Sequence, residues 1–173
     1  MPRELIYRML RLHEGVKPMP YQCTAGRWTI GVGRNFQDNP FTEDERKMLG
    51  NIPVSFSSQK NYLFGHFLTD AQITALLVST VEAIMLDMAE DANILLASAR
   101  ASEVRKAVLV DMACNLGVPG LSKFKKMLAA MQVLDYDTAA AQMTNSRWFR
   151  QVGHRSRRLV EMMKTGVVPK ELA

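Results

Sequence analysis

Glu14, Cys23 and Thr29 are the residues whose types and spacing can do chemistry together. The stretch that carries them, EGVKPMPYQCTAGRWTIGVGR from Glu14 to Arg34, runs from a helix end through a Pro-rich link into a Gly-rich hairpin. A carboxyl, a thiol and a hydroxyl are brought close by local chain geometry alone. Glu14 is expected at the last turn of an amphipathic helix, next to the negative end of the helix dipole. That is a poor place for a carboxylate unless something else needs it there. The position and partial burial both favour the protonated form, which a general acid requires. From the helix alone, a solvated glutamate at a frayed end is the simpler account.

The elements that must position these groups follow from periodicity. Leu5, Ile6, Met9, Leu10 and His13 recur at three- and four-residue spacing and share one helix face. Gly15 sits where a helix usually ends, and Pro18 and Pro20 forbid its continuation. Tyr21, Trp28, Ile30 and Val32 are good strand residues, and Ala25-Gly26 is a turn signal. A two-residue turn would pair Cys23 with Trp28 and put Thr29 on the opposite face. A four-residue loop from Cys23 to Gly26 would free Cys23 to face a cleft. The sequence leaves both registers open, and a catalytic Cys23 requires the longer loop. Gly31 and Gly33 point to close approach of backbone or ligand.

Glutamate, eight residues, cysteine, five residues, threonine resembles the catalytic signature of the bacteriophage-type lysozymes, glycoside hydrolase family 24, whose pattern takes aspartate or cysteine at the middle position. LRLHEG and YQCTAGRWTIGVGR extend the likeness beyond three residues. SRWFRQVGHRSRR from Ser146 resembles the family's C-terminal Ser-Arg-Trp segment, and VRKAVLVDMACNLG from Val104 to Gly117 its central buried helix. The resemblance implies an α+β, mainly helical two-lobe fold over residues 1–173. A small β-hairpin lobe would span 15–69, with a larger helical lobe from 1–14 and 70–173, the two joined by a long helix. It implies hydrolysis of the β-1,4 bond between N-acetylmuramic acid and N-acetylglucosamine in peptidoglycan, with Glu14 as general acid, opposed by Cys23 and Thr29. Thr29 would hold a water by its hydroxyl, and Arg155 matches a family arginine that supports the glutamate. Arg34 stands where many relatives have a structural histidine, a difference expected to bear on stability rather than mechanism.

Composition is ordinary for a soluble globular domain, at 47% hydrophobic and 23% charged residues. No apolar run approaches the roughly 20 residues that span a bilayer, and the charged N-terminus does not read as a secretory signal. The expected protein is made in a host cytoplasm and acts on the wall in the periplasm, helped across the inner membrane by a separate holin, without stable membrane insertion itself. Cys23 and Cys114 read as two thiols, and His13, His66 and His154 lack metal-ligand spacing. No metal or cofactor is expected, and the protein is expected to be a monomer. The net charge of +5 resides in the last 30 residues, which hold seven Lys or Arg against two Asp or Glu. Peptidoglycan is the expected partner of this basic region, and nucleic acid is not.

Elsewhere the chain reads as helices. Thr42 and Glu45 form a capping box for a helix that ends by Gly50. Asn51 to Phe67, with Pro53, three serines and Gly65, reads as a mobile loop. Thr69-Asp70 opens the longest helix. Ala92–Ala99 is a short helix, and Ser102 caps an almost wholly apolar one whose Asp111 needs a partner, Arg147 or Arg158. Gly117 to Gly120 should stop it. Helices around Phe124–Met131, Tyr136–Met143, Trp148 and Leu159–Met163 follow, and twelve methionines serve as core filler.

Overall fold

A computed structural model describes residues 3–173. Eleven α-helices and a three-stranded antiparallel sheet in the order β1-β2-β3 make up the described residues, an α+β architecture dominated by helix. Contacts divide the chain into two units, Leu10–Glu82 on one hand and Met1–Met9 with Ala83–Ala173 on the other. Helix α1 (Arg3–Glu14) and helix α4 (Asp70–Glu90) each run through a division point.

In the 10–82 unit, α1 ends where Gly15 takes a positive φ of 72°. Strand β1 (Lys17–Gln22) starts earlier than Tyr21 and contains both prolines. Proline is tolerated there because β1 is an edge strand whose pairing to β2 (Trp28–Gly31) shifts register between Lys17 and Tyr21. The turn at Val32-Gly33 returns the chain to β3 (Arg34–Asn35); Ile30 stands opposite Arg34 and Thr29 opposite Asn35, with Gly31, Val32 and Gly33 between the paired residues. Helix α2 (Glu43–Met48) has the expected reciprocal box between Thr42 and Glu45. The stretch after it differs from the expected loop. Phe56–Gly65 forms helix α3, with the Ser55 hydroxyl accepting from the Ser58 N–H. Its composition carries little amphipathic signal, yet Gln59 and Leu63 are buried and Phe36 rests between Phe41 and Phe56 at ring separations of 5.5 and 5.6 Å. Tertiary contact overrides weak local preference here.

Helix α4 is long and apolar enough, by length and composition, to cross a membrane. Its most apolar 18-residue window has a mean hydropathy of 1.4, and 28% of that window is buried. This corrects the reading that no apolar stretch approaches membrane length, which looked for an uninterrupted run and passed over one spaced by Ser79, Thr80 and Glu82. Ile73, Leu76, Leu77, Val81 and Met88 of α4 are core residues.

The other unit is built on α6 (Glu103–Leu116), whose residues from Ala107 to Ala113 are all buried. Ser102 caps it as expected, and α5 (Ala92–Ala99) precedes it, capped by Asp91. Gly117 ends α6 at φ 73°, but Val118–Ser122 then forms a short helix, α7, because Pro119 falls in its first turn, where no N–H is needed. Then come α8 (Lys125–Gln132), α9 (Tyr136–Thr144), α10 (Arg147–Val152) and α11 (His154–Thr165). Met127, Met131, Met143, Met162 and Met163 are fully buried among them. Asp111 is bound by Arg155, which was not among the arginines expected for it. Arg155 Nε donates to Asp111 Oδ1 at 2.8 Å and a terminal nitrogen donates to the Asp111 carbonyl at 3.2 Å. Both side chains are buried.

Candidate active site

The hairpin takes neither register left open above: Gln22 pairs with Trp28 and Tyr21 with Thr29, leaving the five residues Cys23 to Arg27 between them, so Cys23 lies outside the strand. The Cys23 N–H donates to the Arg27 carbonyl at 3.0 Å, and the Gly26 N–H donates to the Cys23 carbonyl at 2.8 Å, closing a tight turn. The N–H groups of Arg27 and Ala25 and the Thr29 side chain lie near the Cys23 sulfur. These donors favour the negative form, so the partly exposed thiol is held below the ordinary thiol range, with the Arg27 N–H the largest cause and desolvation opposing it.

Thr29 is buried at 3% exposure, and its hydroxyl donates to the Arg27 carbonyl at 3.0 Å. Thr29 therefore ties the turn to the strand. For it to donate to a water, the hydroxyl would have to turn away from the Arg27 carbonyl.

Glu14 is half-buried at the end of α1. The backbone of Gly33 stands directly against its carboxyl group: a Cβ built at Gly33 would lie 3.0 Å from Glu14 Oε2 and 3.2 Å from its carboxyl carbon. Only glycine fits, both for space and for a φ of 69°. Tyr21 links the two halves of the site. Its phenol is pushed above its ordinary range by burial first, and then by the charges of Glu14 and Cys23. One side chain thus lies within electrostatic reach of both groups. Sequence reasoning counted Tyr21 only as a strand residue; the Tyr-x-Cys alternation, which puts both on the same edge of the hairpin, was the available signal.

Arg155 lies in the helical unit and holds Asp111 as described. Cys23 and Cys114 are both thiols. Among the described residues no group of three or more His, Cys, Asp or Glu could hold a metal. The helical unit also has an open groove of about 620 Å³ in which Lys123, Lys125, Lys126 and Arg147 surround Phe124 and Trp148. Phe124 and Trp148 meet edge to face at 6.0 Å, and the Trp148 indole donates to Asn115 at 2.9 Å.

A mainly helical chain with a small antiparallel sheet has the α+β architecture of the lysozyme-like fold. The sequence profile of the phage lysozyme family matches residues 11–164, and the chain belongs to that family. Two Dictyostelium discoideum proteins, probable T4-type lysozymes 2 and 1, are 29% and 26% identical to it, each over 92% of this chain and 94% of their own. The pre-baseplate central spike protein Gp5 of Enterobacteria phage T4 is 26% identical over 95% of this chain, a match that takes in 28% of that longer protein.

Proposed function

We propose that this protein is an endolysin, a muramidase that hydrolyses the β-1,4 bond between N-acetylmuramic acid and N-acetylglucosamine in peptidoglycan and so lyses the host cell. The observation that supports this reading is the match of residues 11–164 to the phage lysozyme family, with Cys23 in the turn just outside the β1–β2 ladder. Glu14 donates its proton to the bridging oxygen as the glycosidic bond breaks. Cys23 answers the positive charge that grows on the sugar ring, either by taking a proton from the attacking water or by bonding to the anomeric carbon, from which water later releases it. Thr29 is assigned on the family likeness to hold the attacking water by its hydroxyl. Arg155 is assigned as support for Glu14 on the family likeness. Residues 1–173 form one lysozyme domain, with 15–69 as its smaller lobe. The protein acts as a monomer on the periplasmic face of the wall after a separate holin opens the inner membrane.

Purified protein should clear peptidoglycan and release new reducing ends, and Glu14→Gln should abolish both. Retention of near-full activity by Glu14→Gln would remove the assigned acid. A non-catalytic wall-binding module would instead sediment with peptidoglycan and leave it uncut. The match to a spike protein favours one further reading, a lysozyme carried by the virion and used at entry. In that case the chain would be found in purified particles.

A further inference from the structure

We propose that the ion pair between Arg34 and Glu45 positions Glu14 for catalysis, acting through the backbone of Gly33. This rests on Glu14 being the acid of the proposed reaction. The Arg34 guanidinium grips Glu45 with two nitrogens, at 3.1 Å to Oε1 and 3.0 Å to Oε2. It also donates to the Thr80 hydroxyl at 2.9 Å and to the carbonyls of Asn39 and Pro40 at 3.4 and 3.3 Å. Glu45 in turn accepts from the Ser79 hydroxyl at 2.8 Å and the Thr42 N–H at 2.9 Å. The side chains of Arg34 and Glu45 are 11% and 4% exposed. Helices α2 and α4 are thus tied to the first residue of β3. Arg34 keeps this pose although its Nε is buried with no acceptor, so the two-pronged grip on Glu45 sets its place.

The residue before Arg34 is Gly33, whose Cα forms the wall against the Glu14 carboxyl. The Val32-Gly33 turn is held at both ends. On one side Gly31 lies against Ile73 and Leu76 of α4, where a built Cβ would meet them at 3.8 and 3.6 Å. On the other side stands the Arg34 pair. Releasing the second anchor lets the Gly33 backbone shift, and the Glu14 carboxyl, so close that a Cβ on Gly33 would crowd it at 3.0 Å, shifts with it. Proton delivery is sensitive to such misplacement.

Arg34→Lys retains the charge and loses the two-pronged grip. In the folded variant kcat should fall about tenfold to a hundredfold with KM essentially unchanged, and the side-chain carboxyl ¹³C resonance of Glu14 should shift. Ser79→Ala, which removes a single bond to Glu45, should shift both readouts the same way by less. Wild-type kcat in folded Arg34→Lys, or a lowered kcat with an unmoved Glu14 resonance, overturns the proposal. If Arg34→Lys does not fold, Ser79→Ala decides, and wild-type values for both readouts there overturn it equally. The resonance needs no substrate turnover. If the wild type does not cleave peptidoglycan, the proposed function fails while the resonance still reports whether Arg34 braces Glu14.

Discussion

At the scale of single residues, the question is what the thiol does where a carboxylate is the family's alternative. The turn supplies N–H donors that stabilise the anion, so Cys23 should react with iodoacetamide along a pH profile whose inflection lies below that of an ordinary thiol. Measuring alkylation of Cys23 by mass spectrometry from acid to alkaline pH checks this, and an ordinary inflection would contradict the donor geometry. The linkage has a definite sign. A group whose folded pKa is depressed favours the folded state above its unfolded pKa, and that contribution is lost as pH falls through the folded value. Among variants, Cys23→Ser should lose most activity and Cys23→Asp should retain it if charge is what the position supplies. Full activity in Cys23→Ser would leave the sulfur without a chemical role.

At the scale of elements, α3 departs most from what periodicity suggested. Its start depends on one hydroxyl, so Ser55→Ala should cost about 1 kcal/mol in urea unfolding and speed amide exchange across Phe56–Gly65. Unchanged exchange would mean that packing through Leu63 and Phe56 holds the helix without its cap. In the helical unit, α6 and α11 are joined by Asp111 and Arg155. Asp111→Ala removes the buried carboxylate that accepts from Arg155 Nε, so it should lower stability by about 3–5 kcal/mol, read as a shift in urea midpoint. A loss within the range of an exposed pair would show that water reaches Arg155.

At the scale of the whole molecule, charge is unevenly placed. The net +5 is concentrated in the C-terminal stretch, and the groove ringed by Lys123, Lys125, Lys126 and Arg147 adds to that basic character. Adsorption to an anionic wall polymer should weaken as salt rises. Lys125→Glu with Lys126→Glu should weaken sedimentation with peptidoglycan at low salt, with less difference from wild type at high salt. Sedimentation that is flat with salt in both proteins would remove the electrostatic account.

Much of the fold was legible in the chain because it is written in local signals. Gly15, Gly117, Gly153 and Gly166 mark helix ends, Thr42 and Ser102 mark starts, and apolar residues at three- and four-residue spacing mark α1 and α4. The spacing of Glu14, Cys23 and Thr29 is likewise a local property, since helix, link and hairpin are contiguous. Four features were not local. The register that frees Cys23 depends on a ladder between strands, and both turn lengths satisfy the same residues. Helix α3 forms because Leu63 and Gln59 find a core, not because their neighbours prefer helix. Asp111 on α6 meets Arg155 on α11, 44 residues along the chain, a packing outcome. The grip of Arg34 on Glu45 and Thr80 joins residues 11 and 46 positions apart. Sequence determines which groups are available and where helices begin and end; only packing in three dimensions determines which distant groups meet, because contact energy depends on position in space and not along the chain.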